Sequence, residues 1–254
     1  MSASQSNTSQ LSFDQIALGI VCPMANEGAA AVTFVSEVLA ACKRWNFKSV
    51  TFFAILDNVS KDNTRELLEA VTREQAQLQV VWAPENRSVV DAYIRGYREA
   101  LAADCDWILE IDAGFSHQPA DIPKFFAAMA QGYECVFATR FAQGGSISET
   151  SPRRRAVSRG GTALTNLLLG TKLTDMTSGF ELFSRPVLQL VLDKGIRSRG
   201  PFFQTEIKTY CRRLRWAEVP IQYRAASHNI SNASLHDAFG NLWRLFRLRV
   251  SGQL

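Results

Sequence analysis

The chain repeats one alternation: a short, almost wholly apolar run, a polar turn, then a stretch with apolar residues at helical spacing. "IALGIVC" (16–22) ends at Pro23, and between Gly28 and Arg44 the residues Phe34, Val35, Val38, Leu39 and Cys42 share one helical face. "SVTFFAIL" (49–56), "LQVVW" (78–82), "DWILEI" (106–111) and "ECVFA" (134–138) are further runs of this kind, with helical spacing over 88–103 and 121–131. Such runs read as strands buried on both faces. Their alternation with helices predicts an α/β domain with a mostly parallel, doubly wound sheet covered by helices on both sides. In these sheets ligands collect beyond the carboxyl ends of the strands. Three strand ends carry "PMANE", "DNVSKD" and "DAGFSH", so one polar edge is the expected site.

The pattern changes after residue 140. "SETSPRRRAVSRGG" is basic and polar, "ALTNLLLG" continues as an apolar helix ending near Gly170, and "TKLTDMTSGFELF" reads as a loop. A helix is expected over 201–214, and "WAEVPIQYR" reads as a late strand. No linker or internal repeat divides the chain, so one domain is expected over 15–234. The polar stretch 1–14, without signal-peptide pattern, reads as a disordered tail, and 235–254 as a C-terminal amphipathic helix. The net charge of +4 hides −7 over residues 1–139 and +11 over residues 140–254. That asymmetry points to an anionic partner (phosphates, a membrane surface or nucleic acid), with a solvated arginine-rich face as the alternative. The arginines are not interleaved with an aromatic platform, which argues against nucleic acid. Five scattered cysteines without a CxxC pair read as reduced core thiols of a cytoplasmic protein rather than a zinc site or a disulfide framework. No run approaches the roughly 20 apolar residues that span a bilayer.

Eight stretches, "IVCPMANEG", "LDNVSKDNT", "EIDAGFSHQP", "ATRFAQGG", "RRRAVSRGG", "DMTSGFELF", "FFQTEI" and "EVPIQYR", lie in one order between residues 16 and 224. In that order they resemble the inverting family-2 nucleotide-sugar glycosyltransferases of the GT-A fold, in particular the dolichol-phosphate mannosyltransferases and bacterial polyprenyl-phosphate enzymes. The resemblance implies a single Rossmann-like GT-A domain that moves a hexose from a nucleoside-diphosphate sugar to a lipid-linked phosphate at the cytoplasmic membrane face. Carried over to this sequence, it implies that Pro23, Ala25, Asn26, Glu27, Asp57, Asn58, Asp112, Ala113, Arg140 and Arg224 hold the nucleotide sugar. It implies an acceptor-phosphate clamp of Arg154, Arg155, Ser158, Arg159 and Ser178, with Asp175 in the turn beneath it. Guanidinium forks suit phosphate oxygens because two parallel hydrogen bonds match their geometry. Residues 155 and 159 share a helical face.

Asp112 and Glu206 are the candidate catalytic residues. The resemblance places a divalent cation, Mg²⁺ or Mn²⁺, on Asp112 and on positions 114 and 116, which here are Gly114 and Ser116. One carboxylate plus a diphosphate can still hold such an ion weakly; basic side chains that neutralise the leaving group are the competing account. Glu206 is the general base if the acceptor is a hydroxyl, and an orienting group if it is an already ionised phosphate. His117 reads as a residue supporting the site from behind or as a turn residue, since a lone histidine is a poor ligand signal. Asn26 also reads as a helix N-cap with Glu27 favouring the helix dipole, and Asp62 as the cap of the following helix. A sugar-nucleotide-binding partner protein of weak catalytic power is a third reading, motivated by Gly114, Ser116 and Asn58. "LHDAFGNLWRLFRLRV" (235–250) is a basic amphipathic stretch that suits either a bilayer interface or docking on the domain.

Overall fold

The computed structural model describes residues 11–148, 152–224 and 232–254, and for 152–154 the backbone alone. In chain order the elements are β1 (Ala17–Pro23), α1 (Ala30–Lys43), β2 (Ser49–Leu56), α2 (Thr64–Val71), β3 (Leu78–Trp82) and α3 (Val89–Ala102). There follow β4 (Trp107–Glu110), α4 (Ile122–Met129), β5 (Cys135–Thr139), β6 (Ser146–Ser148) and α5 (Pro152–Leu169). The last are β7 (Glu181–Ser184), α6 (Arg185–Lys194), α7 (Phe203–Tyr210), β8 (Trp216–Pro220), β9 (Gln222–Arg224) and α8 (Asn232–Val250).

Seven strands form the central sheet in the order β3-β2-β1-β4-β7-β5-β8, and β6 pairs with β9 beside it. All main-sheet pairings are parallel except those of β7, which runs antiparallel to both β4 and β5. Helices cover both faces, as the alternation predicts. Phe34 and Val38 of α1 and Phe125 and Phe126 of α4 pack on one side; Tyr93 and Tyr97 of α3, Leu188 of α6, Ile207 of α7 and Leu245 of α8 pack on the other. Gly96 lets α3 lie close to the sheet: a Cβ there would sit 2.3 Å from Val21 Cγ1. That close approach brings Tyr93 to the end of β4.

Three expectations are corrected. The polar tail does not extend to residue 14, because Phe13 packs against Trp45 and Phe47 with ring centroids 5.0 and 5.1 Å apart; residues 1–10 lie outside the described residues. The late strand is two strands, β8 in the main sheet and β9 in the small one, separated at Ile221. The stretch read as a loop through Phe183 contains β7, and α5 reaches back through the basic segment to Pro152.

Candidate active site

The turns after β1 and β2 are tied together. Asn26 adopts φ 60°, its amide nitrogen donates to Val59 O (3.1 Å), and its Oδ1 accepts from Lys61 N (2.8 Å). Asp62 accepts from Gly28 N (2.9 Å) and Thr64 N (3.1 Å), and its carboxyl is held below the usual aspartate range chiefly by the Thr64 hydroxyl. The cap reading of Asn26 is therefore corrected: the N-cap position of α1 is Ala29, and the Asn26 side chain joins two loops instead. Asp62 does take the N–H of Thr64, the first residue of α2, and it also holds Gly28 N of the neighbouring loop. Asn58 donates its amide to Pro84 O at 2.8 Å, a bond that an ionised aspartate could not make. Asp57 is nearly buried and accepts from Val59 N at 2.9 Å. Pro23 ends β1, with half-buried Ala25 beyond it. The first two strand ends thus form a rigid, hydrogen-bonded rim.

The next strand end carries Asp112, with a side chain 43% exposed. Tyr93 OH donates to Asp112 Oδ1, and the backbone N–H of Asp112 donates to His117 Nδ1 at 3.3 Å. A nitrogen that accepts a hydrogen bond carries no proton, so His117 is neutral. Burial lowers its pKa in the same direction, against the nearby Asp112. Its 3.6 Å approach to Asp112 Oδ2 is then a contact of a neutral ring rather than an ion pair. The ring packs between Phe180 and Tyr223 with centroids 5.1 and 5.2 Å away. Arg224 N donates to Ser116 O at 3.0 Å, which brings the exposed end of β9 to the loop of Asp112 and half-buried Ala113. Tyr93 carries no sequence signal of this role, because it falls in an ordinary apolar helical stripe.

Gly114 has φ 74°, and a Cβ there would lie 3.0 Å from Glu27 Oε2. An aspartate at this position would meet both backbone strain and a like charge. Burial first, and then Asp62 and Asp112, raise the Glu27 pKa. Among the described residues no cluster of three or more His, Cys, Asp or Glu side chains is placed to hold a metal. The donor set fits a more modest arrangement: Asp112 and Glu27 as carboxylates, with water and phosphate oxygens completing the shell, as Mg²⁺ commonly accepts.

A cavity of about 320 Å³ lies beside this edge, lined by Arg140, Phe141, Gly145, Ser146, Ile147, Arg155 and Arg159. Arg140 Nε and Nη2 donate to Asp175 at 2.7 and 2.8 Å, and Nη2 also reaches Thr177 Oγ1 at 2.6 Å. That edge of the Arg140 fork is committed to a buried carboxylate, and the residue also lines the cavity it shares with Arg155 and Arg159. The Arg159 guanidinium lies 5.2 Å from the Phe141 ring centroid, and Arg155 donates to Ile147 O. Ser158 is half-buried on α5. Ser178 is buried; its carbonyl accepts from Lys208 Nζ at 2.7 Å. The side chain of Arg154, like residues 225–231 after β9, lies outside the described residues.

Beneath the cavity, Lys208 is fully buried, donates to Asp175 O (3.1 Å) and Ser178 O, and approaches Glu181 Oε1 at 3.1 Å. Glu181 faces Glu110 across the β4–β7 pair, and burial pushes both carboxyls up, Glu181 to about 7. Burial also acts to raise the Asp175 pKa, but the Arg140 fork outweighs it and lowers the value to about 2. A folded-state pKa below the ordinary 3.8 means that this pair stabilises the protein fully above about pH 4 and ceases to do so as pH falls through about 2. Urea unfolding across that window is expected to show a loss of about 2 kcal/mol that Asp175→Asn abolishes.

Glu206 is corrected as a base facing the acceptor. It is fully buried on α7 and accepts from Arg197 N (3.2 Å), Ser198 N (2.9 Å), Tyr210 OH (2.8 Å) and Arg244 of α8. With its oxygens occupied, it anchors the 197–198 loop and the C-terminal helix. α8 itself docks on the domain through Leu242 and Leu245.

The glycosyl transferase family 2 model matches residues 20–192. The undecaprenyl-phosphate mannosyltransferase of Micrococcus luteus is 29% identical over 171 residues, covering 66% of this chain and 70% of that protein. The polyprenol monophosphomannose synthase of Mycolicibacterium smegmatis is 22% identical over 238 residues, 92% of this chain and 88% of that protein. The fold is similar to glucosyl-3-phosphoglycerate synthase of Mycobacterium tuberculosis. In its complex with Mn²⁺, UDP-glucose and phosphoglyceric acid the TM-score is 0.66 at 16% identity, covering 97% of this chain and 86% of the other. The same enzyme with Mg²⁺ and UDP gives 0.60 at 18%, covering 92% and 79%.

Proposed function

We propose, since the chain belongs to glycosyl transferase family 2, that it transfers a hexose with inversion from a nucleoside-diphosphate sugar to a polyprenyl phosphate. The chain is a glycosyltransferase, and the choice of acceptor is the step taken here. The observation that carries it is the cavity walled by Arg140, Arg155 and Arg159, with no carboxylate among the described residues that line it. Such a wall attracts an anionic acceptor. The two relatives named for undecaprenyl phosphate and polyprenol phosphate support the same choice.

In this reading Glu27, Asp57, Asn58 and Asp112 line the donor rim. Arg224 faces the diphosphate from β9, and Arg155 and Arg159 hold the acceptor phosphate. A divalent cation, when bound against Asp112 and Glu27, supplies positive charge to the diphosphate. An acceptor phosphate oxygen forms its bond to the anomeric carbon as the bond from that carbon to the diphosphate breaks, and the diphosphate leaves with the electron pair. The acceptor is already ionised and the leaving group departs as an anion, so no proton must be moved. Catalysis is then positioning plus stabilisation of charge on the leaving group. The absence of a proton step accords with a Glu206 buried in structural bonds.

Steady-state transfer with polyprenyl phosphate tests this. Arg155→Ala with Arg159→Ala is expected to raise the acceptor KM by roughly tenfold to a hundredfold, the loss of two charge-assisted contacts, with the donor KM little changed. Glu206→Gln is expected to retain transfer. Loss of chemistry in Glu206→Gln with unaltered folding, together with transfer to an alcohol by the parent chain, would favour the hydroxyl-acceptor reading.

A further inference from the structure

A second cavity, of about 600 Å³, opens between the loop after β3, one side of α3 and the loop before α7. It shares no residue with the Arg155–Arg159 cavity, and none of Glu27, Asp57, Asn58 or Asp112 lines it. Asp91, Ile94, Arg95 and Arg98 bring one helical face of α3 to it, the face turned away from the buried Val90, Tyr93 and Tyr97. Such a face is ordinarily plain solvated helix. Here Arg199 reaches over from the loop before α7 and donates to Asp91 Oδ1 at 2.7 Å, which walls the space in. The volume falls within the roughly 300–1,000 Å³ usual for small-molecule sites.

Four arginines and two acids line this cavity. Both acids are already engaged. Glu85 accepts from Arg95 Nη1 at 2.6 Å, and Asp91 takes Arg199 together with the backbone N–H of Arg87 at 3.1 Å. Among the described residues neither Arg87 nor Arg98 has an ion-pair partner, so two positive charges are left over. A separate observation points the same way. The amide nitrogen of Asn86 lines the cavity, is buried, and has no hydrogen-bond partner among the described residues. Buried donors are nearly always paired, so one left over on a cavity wall calls for an acceptor inside it. Two guanidinium forks and an amide donor suit the several oxygens of a phosphate, and an excess of two charges matches a phosphate dianion better than a single carboxylate.

We propose that this cavity is a second anion site, which takes a phosphate-bearing small molecule on Arg87, Arg98 and the Asn86 amide. It lies on the back of the helix whose other side carries Tyr93 to Asp112, and Asn58 of the donor rim holds its loop through Pro84 O at 2.8 Å. Arg199 belongs to a loop whose backbone is held by Glu206, through Ser198 N, and by Asp237 of α8, through Arg199 N. A phosphate bound here sits between α3 and that loop and leaves the Arg155–Arg159 cavity free. The inference does not depend on which acceptor the enzyme uses.

Isothermal titration calorimetry of the full chain with inorganic diphosphate, in EDTA and without donor or acceptor lipid, tests this. The chelator removes any cation that would hold diphosphate at Asp112. The variant Arg155→Ala/Arg159→Ala is expected to keep a diphosphate site, with binding that weakens as salt is raised. Adding Arg87→Ala/Arg98→Ala is expected to weaken that binding by about tenfold or more, the loss of two charge-assisted contacts. Arg87 and Arg98 are exposed, so the thermal midpoint without ligand should hold, while its rise on adding diphosphate should disappear. Inorganic phosphate and a nucleoside diphosphate, titrated in the same way, separate the sources of the phosphate. Tightest binding of the nucleoside diphosphate assigns the site to a nucleotide, and equal binding of the two diphosphates assigns it to the diphosphate group alone. Diphosphate binding that Arg87→Ala/Arg98→Ala leaves unaltered would overturn the proposal. So would its complete loss in Arg155→Ala/Arg159→Ala.

Discussion

Asp112→Ala is expected to lower sugar transfer by roughly 10²- to 10³-fold, the usual consequence of removing a group that organises charge at a leaving group. Its carboxylate accepts from the buried Tyr93 hydroxyl, so the stability loss is expected at about 1–3 kcal/mol, the cost of leaving that donor unpaired. Tyr93→Phe should cost less, because the carboxylate remains and only the hydrogen bond that orients it is lost. Sensitivity to EDTA separates the two accounts of the charge. If chelation abolishes transfer, Asp112 acts through a cation shared with Glu27; if transfer survives chelation and fails in Asp112→Ala, the basic side chains neutralise the diphosphate. Full activity in Asp112→Ala would remove this strand end from the site.

Asp175→Asn is expected to destabilise the fold by about 3–5 kcal/mol, the cost of stranding a buried ion-pair partner. The asymmetry with its neighbours explains the size. Glu181, pushed up to about 7, can relieve loss of Lys208 by taking a proton, whereas Arg140 cannot lose its charge near neutral pH. The substitution also frees the Arg140 fork to turn into the cavity, so the acceptor KM is expected to change together with stability. Combining it with Arg140→Met should recover most of the stability, which urea unfolding of the two single variants and the double variant would measure. Additive losses in that cycle would mean that the ion pair does not hold the cavity wall.

The sheet was legible in the sequence wherever strands were uninterrupted and apolar. β2 and β3 fall on the expected residues, and β1 and β4 differ by one residue at each end. β7 was hidden because its first residue is the buried Glu181, which breaks the apolar run with a charge that only tertiary partners make tolerable. The strand-end turns could be found because polar residues after buried strands have few other uses. What those residues touch could not be found the same way. Asn26 and Asp62 sit where cap chemistry is ordinary, yet they bond across loops more than 30 residues apart. Glu206 lies in a motif that suggests chemistry, but its oxygens are spent on the 197–198 backbone, on Tyr210 and on Arg244, 38 residues on, which the motif does not announce. Tyr93 and Lys208 had no signal, since an apolar stripe and a surface-type lysine look the same whether or not they end at a site.

The most direct test of the central claim is mass spectrometry of the product formed when the chain is given a panel of nucleoside-diphosphate sugars and polyprenyl phosphate. The account predicts a lipid phosphate heavier by one hexose residue with release of the nucleoside diphosphate, and a yield of that product lowered roughly tenfold to a hundredfold in Arg155→Ala/Arg159→Ala at acceptor concentrations well below KM. Release of nucleoside diphosphate with free sugar alone, or glycosylation of an alcohol while the lipid phosphate stays unmodified, would contradict it.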